Sequence, residues 1–366
     1  MARTLLPCRG IPQVPRFMTS NSCVHIVGFP SWKRRAATLF FKGREIRFIS
    51  SPSALPHRKG LTIATWGMQI PKEDFPEDST ILRVEDGFLR SVGLGAAYIQ
   101  PISWIVDSKG IYFDSRQVSD LEHLLQHHEF SRDLLQRAGL LRRLIISARL
   151  TKYNLTHANW IRPSHSGRVI LVPGQVESDA SLRHGAPNLS TNIELLRAVR
   201  EANPAAFILY KPHPDVAAGF RSSGTGEKEA ADWCDEILEN VSMVSLLETV
   251  DEVHTLTSLA GFEALLRGRR VVTYGQPFYA GWGLTEDNHP VARRTRRLNL
   301  DTLVAAALLC YPLYLDWESQ RLTTAEQALA QLQHPSADNS RKGADVLESL
   351  GRFLCRFRAW RKILAK

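Results

Sequence analysis

Four short polar clusters, each standing where an apolar strand-like run ends, hold the residue types that could do chemistry in this chain. They are Glu85-Asp86-Gly87, Gln175 through Asp179, Lys211-Pro212-His213-Pro214-Asp215, and Ser258 with Glu263 a turn later. Thr257, Ser258 and Gly261 precede or open an apolar helical face of Leu259, Phe262, Leu265 and Leu266, which places Ser258 at a helix start. A helix start offers unpaired N–H groups and a positive dipole end, and so suits a phosphate. Glu263 lies among apolar neighbours, where an unpaired carboxylate is costly; a ribose hydroxyl would relieve that cost. Two prolines fix the direction of His213, and an imidazole beside the Lys211 ammonium suits a phosphate leaving group. Asp179 reads either as a helix N-cap or as a nucleophile for an anomeric carbon. Glu85 and Asp86 read either as the turn that Asp-Gly favours or as reacting carboxylates, with Arg90 and Ser91 as donors to an anionic substrate. Ser258 has a plain reading as a cap, Glu263 as a paired helix residue, and His213 as a structural histidine.

No GxGxxG, Walker A, GxSxG or metal-ligand spacing is present, so neither a cofactor nor a metal is expected. The chain has 366 residues, with 44% hydrophobic and 23% charged residues, the composition of a folded protein large enough for two domains. A net charge of +9 favours anionic partners. Five cysteines without CxxC spacing argue against zinc and a disulfide framework, and fit a reducing cytoplasm. No apolar run is long enough to span a membrane, and Cys8-Arg9-Gly10 and Pro12 interrupt any signal-peptide core.

The clusters need strands to deliver them. Residues 1–22 read as an irregular lead-in, 24–29 as a strand, 33–41 as a basic helix, and 46–49, 62–67 and 81–84 as further strands. Residues 103–107 and 110–113 read as a hairpin around Ser108-Lys109, and 120–152 as helical. A second half starts with a strand at 168–173, then a helix at 192–203, a strand at 207–211 and a strand at 252–255 leading into Ser258. Val271 through Gly275 reads as a buried strand, and 300–333 as helical. Such alternation predicts parallel α/β sheets with ligands beyond the strand C-termini. The expected fold is therefore α/β, two Rossmann-like halves with an interdomain cleft, a GT-B-like arrangement that other two-domain α/β enzymes share in pattern. The halves are 23–160, on the acceptor side, and 161–333, binding the nucleotide. Residues 334–366 read as a linker and a C-terminal helix. There Leu350, Phe353, Leu354, Phe357, Trp360, Ile363 and Leu364 recur at helical spacing among Arg and Lys, the pattern of a membrane-surface element or of a helix docked on protein.

Arg83 through Gly95, Gly174-Gln175-Val176-Glu177-Ser178-Asp179, Lys211 through Val216 and Ser258 through Gly283 occur in the order seen in the bacterial capsule-initiating β-Kdo transferases, the KpsC group. The chain resembles that family over about residues 60 to 315. The resemblance implies retaining transfer of Kdo, a negatively charged sugar acid, from CMP-Kdo by double displacement. The implied acceptor is a growing Kdo linker on a phosphatidylglycerol lipid at the inner, cytoplasmic face of the inner membrane, where the enzyme would be peripheral. Other capsule assembly and export proteins would be further partners. On this resemblance Asp179 is the nucleophile and Glu85 the acid/base, with Asp86 the less favoured choice. Lys211 and His213 hold the CMP phosphate; Ser258 and Glu263 hold phosphate and ribose; Gln175 and Arg90 complete the substrate contacts. Family members commonly carry two such modules, and this chain holds one. Transfer of another CMP-linked sugar acid, or glycolipid binding without turnover in capsule assembly, stand as alternatives. Nucleic-acid binding would explain the charge but not the motifs.

Overall fold

The computed structural model describes residues 23–93, 98–155 and 158–333. The lead-in at 1–22 and the linker and basic helix expected at 334–366 lie outside the described residues. The chain begins with β1 (Val24–Val27), a 3-10 turn at Ser31–Lys33 and α1 (Arg34–Phe40). Strands β2 (Ile46–Ile49), β3 (Thr62–Trp66), β4 (Thr80–Asp86) and β5 (Ser103–Asp107) follow, then helices α2 (Asp120–His127) and α3 (Arg132–Ser147). The helical stretch expected over 120–152 is thus two helices. Ser119 caps α2 and Ser131 caps α3, each accepting a first-turn amide, so the second helix starts afresh.

The hairpin expected at 103–113 does not form. The Asp107 carboxylate accepts the amides of Lys109, Gly110 and Asp120, which turns the chain away from its own strand. Both edges of β5 are taken by other strands.

The second half runs through β6 (Val169–Pro173), α4 (Ala180–Gly185), α5 (Asn192–Ala202), β7 (Phe207–Lys211), α6 (Pro214–Ala217) and β8 (Glu236–Ile237). It continues with α7 (Met243–Thr249), β9 (Glu252–Thr255), α8 (Leu259–Leu266), β10 (Arg270–Thr273) and β11 (Glu286–Asp287). Its six strands, ordered β11-β10-β9-β6-β7-β8, are all parallel. In β6, Val169 and Leu171 face one core while Ile170 and Val172 face another, so the strand is apolar on both sides.

Residues 300–333 are not all helical. After α9 (Leu300–Val304) and a π-helical turn at Ala305–Cys310 come β12 (Pro312–Asp316), β13 (Arg321–Thr323) and α10 (Ala325–Gln333). Leu315 and Tyr314 point to opposite cores, the two-residue period of a strand in a run too short to separate from helix by pattern. These strands return to the first sheet, whose order is β13-β12-β5-β4-β3-β1-β2. The last part of the 161–333 segment therefore pairs with the first half. Strands β2, β1, β3 and β4 are parallel as expected, whereas β5, β12 and β13 are added antiparallel.

The largest core joins the halves. Phe88, just past β4, stacks on Phe278 at 4.5 Å between ring centroids, and Phe262 of α8 packs against Phe278 at 5.3 Å. The strand end carrying Glu85 is thereby tied to the helix carrying Glu263.

Candidate active site

A cavity of about 600 Å³ is lined from one side by Val92, Tyr112 and residues 148–155, and from the other by the ends of β6 and β7, the start of α8 and Phe278. Six sequence candidates line it: Gln175, Asp179, Lys211, His213, Ser258 and Glu263. Glu85, Asp86 and Arg90 do not.

Asp179 occupies the N-cap position of α4, yet its side chain makes no capping hydrogen bond. Its carboxylate has no hydrogen-bond or ion-pair partner among the described residues. Burial raises its pKa, against the charges of Arg221, Lys152 and Arg183. An N-cap aspartate ordinarily spends its oxygen on the first turn. This one keeps it for the cavity.

His213 caps α6, and its Nδ1 accepts the Asp215 amide at 3.2 Å. The proton therefore sits on Nε2, as a donor. Burial, with Lys152 and Arg221, pushes its pKa down to about 4, so the ring is neutral near pH 7. Ser258 caps α8 by accepting the Ala260 amide at 3.2 Å. Its carbonyl accepts from Tyr279 Oη at 2.5 Å, which fixes the helix start. An added Cβ on Gly261 would lie 2.2 Å from that same hydroxyl, so only glycine leaves room for it.

Three expected contacts prove to be spoken for. The Lys211 ammonium donates to the carbonyls of Leu238 at 3.4 Å and Glu239 at 3.2 Å, and burial lowers its pKa to about 8. Both ends of the Gln175 amide engage Thr257, at 2.9 Å each, so Gln175 braces the entry to α8. Arg90 is 1% exposed, and its nitrogens bond Asp86, Ser91 Oγ and the Ile99 carbonyl. It is buried, and it pairs with Asp86.

Asp86 accepts Lys33 Nζ at 2.9 Å and Arg90 Nε at 2.8 Å. Burial opposes its charge, but Arg90 and Lys33 outweigh that and keep its pKa low. Bonded to two cations, Asp86 is held in its ionised form. Glu85 is the opposite case: burial and the neighbouring Asp86 charge push its pKa up to about 7, against Lys33 and Lys152. The two adjacent carboxylates thus have pKa values pushed apart by their surroundings. Lys33 itself sits 3.2 Å above the centre of the Trp66 ring.

Glu263 is 8% exposed, and its Oε1 accepts the Lys152 amide at 2.7 Å. Burial raises its pKa against Arg267 and Lys152. It thus anchors the strap at residues 149–155, whether or not it also meets a ribose. The same strap is held by Arg267 on the Leu150 carbonyl, by Asn154 on the Ser91 carbonyl, and by amide bonds from Ser91 and Gly93. Arg149 and Asn154 adopt left-handed backbone, φ 53° and 51°. Sequence reasoning missed the strap and Lys152, because nothing periodic marks the chain after α3. Among the described residues no group of three or more His, Cys, Asp or Glu could hold a metal ion.

The family model described as capsule polysaccharide biosynthesis protein matches residues 75–315, about two thirds of the chain. The chain belongs to the capsule polysaccharide biosynthesis family. Within it, the chain is 43% identical over 313 residues to the capsule polysaccharide modification protein LipA of Neisseria meningitidis serogroup B, covering 83% of this chain and 44% of LipA. It is 44% identical over 236 residues to the lipopolysaccharide-processing protein LpsZ of Rhizobium meliloti, 63% of this chain and 54% of LpsZ. The chain thus spans about half the length of these relatives. Two solved Thermosulfurimonas dismutans KpsC structures share the fold. The β-Kdo 2,7 transferase matches with a TM-score of 0.73 at 38% identity, over 85% of this chain and 98% of its own. The β-Kdo 2,4 transferase matches at 0.74 and 30%, over 86% and 98%. This family member accordingly has a GT-B-like fold of two Rossmann-like halves around a cleft.

Proposed function

We propose that this chain is a glycosyltransferase module that transfers β-Kdo from CMP-Kdo with retention, building the Kdo linker of a capsule glycolipid. The observation that carries this reading is Asp179: a cap-position carboxylate with no partner, bordering the same cavity as His213 and the start of α8. The similarity to KpsC transferases supports the sugar, and the neutral His213 Nε2–H with Ser258 at a helix start supports a phosphate-bearing donor.

In the first step an Asp179 oxygen attacks the anomeric carbon. The bond from that carbon to the phosphate oxygen breaks, and CMP leaves with the electron pair, its charge met by His213 and the α8 N-terminus. In the second step the acceptor hydroxyl attacks the glycosyl ester. Its proton goes to Glu85 and the ester bond returns its electrons to Asp179. Two inversions retain the configuration. Glu85 stands behind the cavity-lining residues, within electrostatic reach of Lys152. Lys152 and Tyr112 both hold their protons, so the acceptor proton reaches Glu85 directly or by way of water rather than through them. Glu263, beside the start of α8, serves as ribose contact through the oxygen not bonded to Lys152.

The acceptor is a Kdo-bearing lipid of phosphatidylglycerol type, and the module works as a peripheral protein on the inner face of the cytoplasmic membrane. No helix among the described residues is long and apolar enough to cross a membrane. Leu332 and the exposed Gln333 border the cavity, so the chain enters its Arg- and Lys-rich last segment beside the proposed active site.

Incubation with CMP-Kdo and a synthetic Kdo-lipid acceptor, read by NMR, tests the reading. A β-linked Kdo product is expected. Absence of turnover, or turnover only with another CMP-linked sugar acid in competition, would contradict it.

A further inference from the structure

Lys152 is a cation of this cavity that no carboxylate among the described residues pairs with; its Nζ lies 5.3 Å from the centre of the Tyr153 ring. Its amide and carbonyl are committed, to Glu263 and to the Ser91 amide, so the strap fixes its backbone from both halves. Lys152 lines the cavity, and its ammonium has no hydrogen-bond or ion-pair partner among the described residues. Lys33, Arg90 and Lys211 are each bonded within the protein, which leaves Lys152 to meet an anion brought by the ligand.

Its charge acts on Glu85, Asp179 and His213 alike. Asp179 and His213 line the same cavity, so Lys152 borders both the nucleophile and the phosphate side of the site. In a CMP-linked 2-keto sugar acid the carboxylate is bonded to the anomeric carbon itself, the atom that Asp179 must reach. A carboxylate so placed beside an attacking carboxylate would repel it unless a cation stood nearby. The phosphate already has a neutral donor in His213 and a helix start at Ser258.

We propose that the Lys152 ammonium holds the carboxylate of the donor sugar acid, and so selects CMP-linked sugar acids over neutral sugars. This rests on the reading of the site as a CMP-sugar-acid transferase. Lys152 has a second consequence there: it screens the donor carboxylate from Asp179 while both are ionised.

The test is equilibrium binding of CMP and of CMP-Kdo to the full chain, as wild type, as the neutral variants Lys152→Gln and Lys152→Met, and as the charge-keeping Lys152→Arg. The neutral variants are expected to bind CMP within about twofold of wild type and CMP-Kdo roughly tenfold or more weakly. Lys152→Arg is expected to recover most of the CMP-Kdo affinity. Retained CMP binding reports a folded site, and two neutral variants guard against one that fails to fold. Equal loss of CMP and CMP-Kdo would assign Lys152 to the phosphate and overturn the proposal, as would unchanged CMP-Kdo binding in both neutral variants. Failure of wild type to bind CMP-Kdo would overturn the transferase reading as well.

Discussion

At the scale of single residues, Glu85 and Asp86 differ in what surrounds them rather than in what they are. Asp86 faces two cations and stays ionised; Glu85 faces burial and Asp86, and titrates near neutrality with a pKa of about 7. As a base for the acceptor hydroxyl, Glu85 must be ionised. Transfer is then expected to fall as pH drops below about 7, and Glu85→Gln to remove that limb along with most of the activity, roughly 10²- to 10⁴-fold. A pH–rate profile of the two proteins reads this directly; an unchanged limb in Glu85→Gln assigns it to another group. Lys33 lowers the Glu85 pKa, so Lys33→Met is expected to move the limb to higher pH. A limb that stays in place would show Lys33 to be structural only. The motifs drew attention to Glu85, Asp179 and His213, whose types and spacing announce chemistry. They could not show that Arg90, Gln175 and Lys211 also bond within the protein, since no sequence pattern reveals that a polar side chain already has partners there. Lys152 had no motif at all.

At the scale of elements, the start of α8 depends on a close contact that leaves no room for a side chain. Gly261→Ala would force Tyr279, fully buried and bonded to the Ser258 carbonyl, out of place. It is expected to cost about 1–3 kcal/mol of stability and to weaken CMP binding. Tyr279→Phe removes only the hydroxyl and should cost about 1 kcal/mol. Thermal melts with and without CMP separate the two; equal, small shifts for both would show that the contact does not fix the helix start. Strands β6, β7, β9 and β10 of the second half were legible because their runs are bounded by Gly, Pro and polar clusters; the two-residue β8 and β11 were not. Strand β12 was not either, because a five-residue run after a helix carries no period that tells strand from helix, and β13, Arg-Leu-Thr, has a single apolar residue. The missing hairpin has a local cause, the Asp107 carboxylate, which binds three amides that the pattern treated as free.

At the scale of the molecule, the two halves are joined by more than a linker. The returning hairpin of β12 and β13, the Phe88–Phe278 stack and the strap at 149–155 cross from one half to the other. Two Rossmann-like halves and a cleft could be read from alternation alone; this return could not, since it pairs residues about two hundred positions apart. The described chain ends at Gln333, which borders the cavity, and the Arg- and Lys-rich sequence after it is the part we assign to an anionic surface. Deletion of residues 345–366 is expected to abolish co-sedimentation with phosphatidylglycerol vesicles while leaving CMP binding intact. Undiminished sedimentation would move the membrane contact elsewhere. The most direct test of the whole account is the fate of Asp179 during turnover. After brief incubation with CMP-Kdo and no acceptor, mass spectrometry of digested protein should find one Kdo residue on the peptide bearing Asp179. Asp179→Ala should show no adduct and lose at least about 10³-fold in transfer while still binding CMP. Full transfer by Asp179→Ala, or an adduct on another residue, would contradict it.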